Sequence, residues 1–130
     1  MHPKTYAVIQ QRGLCSLMNH TKWTELACAL SAIGSDGPVC EDKKIDNDHI
    51  DGPSHINWHD FLEFPTERYE WLEIHATERK FRGHLVADEI IDHATEIEAI
   101  LRELKLPFSL TENGYRVWGY VHPANQPAYA

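Results

Sequence analysis

Nine histidines in a chain of 130 residues raise the question of a metal site. His55 and His59 are four residues apart, a spacing that lets two side chains share one ion on a helix but not on a strand. Because imidazole and carboxylate groups are common zinc ligands, a small metal-dependent enzyme is the alternative hypothesis for this chain. Its remaining candidate ligands form a second cluster, His84, Asp88, Asp92 and His93.

The residues around these histidines favour a simpler interpretation. No HExxH motif is present, and Gly83 interrupts the only stretch in which the second cluster could be helical. Asp92 also stands where it can cap a following helix. We therefore expect scattered, solvated or capping histidines, no metal ligand, and no other cofactor.

The most acidic run, EDKKIDNDHID, contains Asp46, Asp48 and Asp51. An EF-hand calcium loop requires alternating oxygen ligands, a central glycine and a final glutamate. Counted from Asp46, the chain has isoleucine at the third ligand position, aspartate at the glycine and asparagine at the glutamate. The prediction for these three aspartates is a solvated acidic loop.

Motifs for nucleophilic catalysis and for nucleotide binding are missing. The chain has no GxSxG, GxGxxG or GxxxxGK, and we assign no catalytic residue. Cys28 lies within an apolar helical pattern, which predicts a buried, inert thiol. The three cysteines, Cys15, Cys28 and Cys40, lack CxxC spacing, so we expect reduced thiols in a cytoplasmic protein.

The charge of the chain restricts its partners. Twenty acidic and twelve basic side chains give a formal net charge of −8, with the acidic excess between residues 41 and 106. Binding to nucleic acid depends on lysine and arginine, so we expect neither nucleic acid nor an anionic membrane as partner. No stretch approaches the roughly 20 apolar residues of a membrane span, and the N-terminus lacks the apolar segment of a signal peptide.

Two helices are predicted from apolar periodicity. The first covers residues 21–33, is capped by Asn19 or Thr21, and stops at Gly34. The second covers residues 95–105, where Thr95 and Glu98 match a capping box.

Strands are predicted for INWHDFLEF, with Leu62 and Phe64 inward, and for YEWLEIHA. A hairpin joins FSL to YRVWGYV through Asn113-Gly114. Residues 35–55 are predicted to be a loop, and residues 79–93 an irregular excursion with a short strand.

The resulting order, α-β-β-α-β-β, predicts an α+β fold. We expect a two-layer sandwich in which an antiparallel sheet of about four strands carries the helices on one face. The predicted organisation is an N-terminal extension over residues 1–18, a single α+β domain over residues 19–122, and a flexible tail over residues 123–130.

Several sequence blocks carry a resemblance to a known family. Thr21-Lys22-Trp23, EWLEI, EIEAILREL and GYRVWGY together resemble a family of small bacterial proteins known only as a domain of unknown function. The likeness covers about residues 19–121 and implies a compact bacterial α+β protein. Its size and charge are similar to those of immunity proteins that neutralise bacterial toxins.

The aromatic residues supply the functional hypothesis. If both helices cover one face of the sheet, the other face presents tryptophan, tyrosine and arginine, the residue types that dominate binding hot spots. We therefore expect a non-enzymatic acidic protein-binding protein whose partner is a basic toxin domain, although neighbouring segments could instead cover this face, or a homodimer could form through it. The predicted partner-binding residues are Trp71, Glu73, Arg116, Trp118 and Tyr120 of the sheet, with Asp46, Asp48 and Asp51 of the acidic run.

Overall fold

The structure, a computed structural model, describes residues 1–130 and contains four α-helices, one 3-10 helix and nine strands. In chain order these elements are α1 (Pro3–Arg12), β1 (Cys15–Ser16), α2 (His20–Ser31), β2 (Val39–Lys44), β3 (Ile50–His55), α3 (Trp58–Glu63), the 3-10 helix (Thr66–Arg68), β4 (Tyr69–His75), β5 (Thr77–Lys80), β6 (Glu89–Asp92), α4 (Ala94–Glu103), β7 (Phe108–Leu110), β8 (Gly114–Trp118) and β9 (Tyr120–Val121).

One antiparallel sheet of five strands organises the chain, in the order β3-β2-β4-β8-β7. Strand β4 is central, and its Leu72 pairs with Val117 of β8. Two smaller antiparallel sheets pair β1 with β9 and β5 with β6. The predicted α+β fold is confirmed, with five strands in the main sheet rather than about four.

The hydrophobic core lies between the main sheet and helices α2, α3 and α4. Leu26 and Leu30 of α2 and Leu101 of α4 are fully buried against Leu72 and Val117 of the sheet. Burying a leucine or valine contributes about 1.5–3 kcal/mol, so this layer supplies most of the driving force for folding. The prediction that helices pack on one face of the sheet is confirmed.

The two long core helices match the predicted ones, but only one has the predicted cap. Asn19 caps α2, since its side-chain oxygen accepts the backbone N–H of Lys22 at 2.8 Å. At α4 the side chain of Asp92 accepts the N–H of Ala94 at 2.8 Å, so the helix begins before Thr95. The predicted capping box is therefore wrong, whereas the capping role considered for Asp92 is confirmed.

Residues 35–64 differ most from the sequence interpretation. Strands β2 and β3 form a hairpin, so the predicted loop is wrong. The sequence does not reveal these strands, because their mostly polar side chains give no alternating apolar pattern. Helix α3 replaces a predicted strand, and Asn57 caps it by accepting the N–H of Asp60. Its inward residue is Phe61, while Leu62 and Phe64 are only partly buried.

The N-terminal segment is tied to the sheet. Strand β1 pairs with β9, and Arg12 at the end of α1 donates hydrogen bonds to the backbone oxygen of Ile45 and to Glu70, each at 2.7 Å. At the other end of the chain, the N–H of Ala130 reaches the backbone oxygen of Phe108. The sequence of residues 1–18 predicts no element, because α1 buries only one residue, Thr5, and has no apolar stripe to reveal it.

The predicted excursion is a β-hairpin with a narrow base. Strands β5 and β6 pair only with each other, and residues 81–88 connect them. At the base, the N–H of His93 donates to the backbone oxygen of Ala76 at 2.7 Å. We call residues 77–92 the excursion hairpin.

The hairpin predicted at Asn113-Gly114 is confirmed as β7–β8, and the chain leaves the sheet at Gly119. The N–H of Gly119 donates to the backbone oxygen of Glu70 at 2.7 Å. A Cβ here would collide with the backbone oxygen of Tyr69, so this close approach requires glycine. Beyond it, Tyr120 belongs to β9 and no longer continues the face of β8.

Candidate functional site

The outer face of the sheet, opposite the helices, is largely covered by its own side chains. Arg116 stacks over Trp71, with 3.9 Å between the guanidinium carbon and the ring centroid, and Trp71 is only 4% exposed. Tyr120 is also 4% exposed, and its hydroxyl donates to the backbone oxygen of Glu67. The prediction that Trp71 and Tyr120 present an open recognition surface is therefore wrong.

Glu73 and Trp118 are likewise engaged within this outer face. Glu73 is buried and accepts hydrogen bonds from Arg116 and from the side-chain amide of Asn113. Trp118 is half-buried, and its indole N–H donates to the hydroxyl of Ser109 at 3.0 Å. Glu73 therefore cannot act as an exposed contact, whereas Arg116 and Trp118 retain partial exposure.

A polar cluster continues the outer face across β2 and β4. The ligand atoms of Glu41, Glu73 and His75 lie within 4.8 Å of one another, and His75 Nε2 is 2.6 Å from Glu41. The Arg116 guanidinium, 2.9 Å from Glu73, already supplies the positive charge that a cation would bring. These contacts form a hydrogen-bond network that links β2, β4 and β8.

The acidic run forms the β2–β3 hairpin and its turn instead of a loop. Asp46 accepts two hydrogen bonds from Arg68, at 2.9 and 3.1 Å. Asp51 binds Lys44, and this hydrogen bond lowers the pKa of the Asp51 carboxyl. Asp48 is exposed and forms no ion pair, so it is the least compensated of the three predicted residues.

Two of the six candidate metal ligands, His55 and His93, lie close to Glu78, a residue that the sequence did not single out. His55 Nε2 lies 2.8 Å from one oxygen of Glu78, and His93 Nε2 lies 3.7 Å from the other. These three side chains line the largest cavity of the protein, about 400 Å³ in volume. Glu78 stands on β5, directly before the predicted irregular excursion.

The other four candidates are dispersed. His59 pairs with Glu63 within α3, and His84 is exposed in the loop of the excursion hairpin. Asp88 lies 3.9 Å from Arg79, and Asp92 caps α4. Only His55 and His93 therefore remain from the sequence-based metal hypothesis.

The three cysteines lie in different environments. All three thiols are free; Cys40 is buried, and burial raises the pKa of its thiol well above the usual range. Cys28 is exposed, because the helical turn that buries Leu26, Ala27 and Leu30 directs it outward. The prediction of a buried Cys28 is wrong.

An exposed apolar patch occupies the end of the excursion hairpin. Leu85 is 100% exposed and Phe81 is 66% exposed. Arg82 closes the loop by donating two hydrogen bonds to the backbone oxygen of Ala87, at 3.1 and 3.2 Å. We call the exposed apolar residues of this hairpin the apolar tip, namely Phe81, Leu85, Val86 and Ile90.

These features define a small α+β protein with exposed apolar residues in a hairpin beside a cavity lined by two histidines. The chain belongs to a family of unknown function, DUF6678, whose model matches residues 5–124. The suspected family membership is thereby confirmed, and the match includes most of the N-terminal segment that the resemblance had left outside. No curated protein and no solved structure matches the chain.

None of the helices is both long enough and apolar enough to span a membrane.

Proposed function

We propose that this protein is a non-enzymatic binding protein of the immunity type, whose partner is the basic domain of a bacterial toxin. The observation that carries the proposal is the apolar tip. Its aromatic and aliphatic side chains gain nothing in the free protein and become buried only when another surface covers them.

The apolar tip has the composition and placement of an anchor. Phe81 and Leu85 are exposed in the segment that joins β5 and β6, two strands that pair only with each other. Arg82 holds the loop through Ala87, so less conformational freedom is lost on binding. A few side chains that become fully desolvated near the centre of an interface commonly account for most of the binding energy.

The charge of the chain selects the class of partner. A net charge of −8 attracts basic surfaces and accelerates their association. Asp48 at the β2–β3 turn forms no ion pair, whereas Asp46 pairs with Arg68 and Asp51 pairs with Lys44. We assign the steering contribution to this turn and the anchoring contribution to the apolar tip.

The proposal is tested with the product of the adjacent gene as the partner, because a toxin and its immunity protein are encoded together. The purified proteins are mixed and their association and dissociation rates measured. We expect Phe81→Ser combined with Leu85→Ser to accelerate dissociation at least tenfold, the equivalent of about 1.4 kcal/mol. Leu110→Ser is the matched control, since Leu110 is 63% exposed but lies on β7.

The charge contribution is tested separately. Changing Asp46, Asp48 and Asp51 to Lys should slow association and leave dissociation nearly unchanged, and added salt should slow the wild-type protein in the same way. In cells, growth arrested by the adjacent gene product should recover with wild type and not with the tip variant. The proposal fails if this product does not bind, if the tip variant binds like wild type, or if light scattering shows that the apolar tip forms a homodimer.

A further inference from the structure

We propose that the free edge of β6 receives an extended segment of the basic partner, which adds a third strand to the excursion hairpin. This inference rests on the proposed binding function and deepens it, because it states how the partner is held. In such strand addition, backbone hydrogen bonds supply affinity, and the side chains beside them supply specificity.

The register of β5 and β6 determines which backbone groups are free. Arg79 pairs with Ile90, and three pairs further along the N–H of His93 donates to the backbone oxygen of Ala76 at 2.7 Å. Hydrogen-bonded and non-hydrogen-bonded pairs alternate in an antiparallel ladder, so Arg79 and Ile90 form a non-hydrogen-bonded pair. Their N–H and C=O groups therefore point away from the opposite strand, toward the two free edges of the hairpin.

The edge of β6 is accessible and adjoins the apolar tip. Strands β5 and β6 pair only with each other, and Glu89, Ile90 and Asp92 are all exposed. Unpaired backbone groups on an edge strand are a template for another strand. Because Ile90 also belongs to the apolar tip, a strand added here would bury part of the tip in the same step.

The two strands of the hairpin carry opposite net charge. Strand β5 contains the basic residues Arg79 and Lys80 and one acidic residue, Glu78. Strand β6 contains Glu89 and Asp92 and no basic residue. Opposite charges in neighbouring strands stabilise their pairing, and like charges destabilise it. A basic segment is therefore attracted to the edge of β6 and repelled from the edge of β5.

The β6 strand of a second copy of this chain fits the same edge less well. Two β6 strands that paired about Ile90 would place Asp88 of each copy opposite Asp92 of the other. Like charges directly opposite one another destabilise a sheet. The acidic residues therefore oppose this self-pairing, while they leave the edge open to a basic segment.

Matched proline variants test the strand addition, with the purified product of the adjacent gene as partner. Proline has no N–H, so Ile90→Pro removes the outward donor of β6, and Arg79→Pro removes the corresponding donor of β5. We expect Ile90→Pro to weaken binding at least about tenfold and Arg79→Pro to change it less than about threefold. Ile90→Ala keeps the N–H and should weaken binding less than Ile90→Pro. The backbone chemical shifts of β5 and β6 verify that each variant retains the hairpin.

Hydrogen exchange in the wild-type complex tests the same bond without a variant. The amide of Ile90 has no acceptor within the hairpin, so it should exchange rapidly in the free protein and at least roughly 100-fold more slowly in the complex. The amide of Arg79, on the opposite edge, should remain rapid in both. This measurement decides the question if Ile90→Pro loses its hairpin.

The outcomes separate this inference from the proposed function. If the adjacent gene product binds but the Ile90 amide stays rapid, or if a folded Ile90→Pro binds like the wild type, strand addition is wrong and the proposed function stands. Absence of binding by the wild type overturns both. Self-association that Ile90→Pro abolishes in light scattering also overturns the inference, since a second copy would then occupy the edge.

Discussion

The main sheet and the excursion hairpin follow each other along the chain, but they place apolar side chains in opposite environments. Leu72 and Ile74 of β4 are fully buried beneath α2 and α4. Only a few residues later, Phe81 and Leu85 stand in solvent. The same residue types therefore stabilise the free protein in one region and contribute nothing to it in the other.

This difference has a structural cause. A two-stranded hairpin has no second layer and cannot bury either of its faces by itself, whereas the five-stranded sheet has three helices packed against one face. Apolar residues in such a hairpin do not stabilise the free protein, and only another surface can bury them. An apolar side chain therefore belongs to the core only if a second layer packs against it. Without such a layer, the same side chain remains available to bind another surface.

The largest effect is expected in the sheet. Leu72→Ala should lower the free energy of unfolding by about 2–5 kcal/mol, because it removes buried methyl groups and leaves a cavity at the centre of the core. Urea unfolding followed by fluorescence measures the loss. A loss below about 1 kcal/mol would mean that Leu72 is not at the centre of the core.

An intermediate effect is expected where α1 meets the sheet. Burial by itself would raise the pKa of Glu70, but hydrogen bonds from Arg12 and Lys43 outweigh it and hold the pKa below its usual range. Because the folded state has the lower pKa, Glu70 stabilises the protein above the unfolded value of about 4.3, and this contribution is lost as the pH falls through the folded pKa.

Glu70→Gln should therefore destabilise the protein by about 1–2 kcal/mol at pH 7 and progressively less below about pH 4. Thermal unfolding of both proteins across this pH range measures the difference. A gap that stays constant with pH would show that the Glu70 charge is not what joins α1 to the sheet.

The smallest effect is expected at the apolar tip. Leu85→Ser should change the free energy of unfolding by no more than about 0.5 kcal/mol, since the side chain is 100% exposed. The same urea titration used for Leu72 provides the measurement. Destabilisation comparable to that of Leu72→Ala would remove the distinction between the two regions.

The parts of the fold that could be predicted are those with a periodic apolar pattern. Helix α2, strand β4 and the β7–β8 hairpin all have one face buried in the core, so their sequences show the corresponding period. Strand β2 lacks such a pattern, because most of its side chains are polar. Ion pairs hold them in place, as Lys44 shows with Asp42 and Asp51. In α3, six residues are too few to establish a helical period.

The candidate site was harder to predict because its members come from separate elements. His55 ends β3 and His93 precedes α4, and both were identified by residue type alone. Glu78 lies in a short exposed strand with no motif, and only the three-dimensional arrangement places it between the two histidines. The outer face was misjudged because strand alternation does not reveal that Arg116 stacks on Trp71.

The narrow base of the excursion hairpin has a consequence for native-state hydrogen exchange. The hairpin joins the body through the Ala76–His93 backbone bond and the side-chain contact between Glu78 and His55, but its backbone pairs with no strand of the main sheet. It forms a cooperative unit that can open while β4 and β8 remain paired. Amide deuterons should therefore enter Thr77–Lys80 and Glu89–Asp92 long before they enter the central strands.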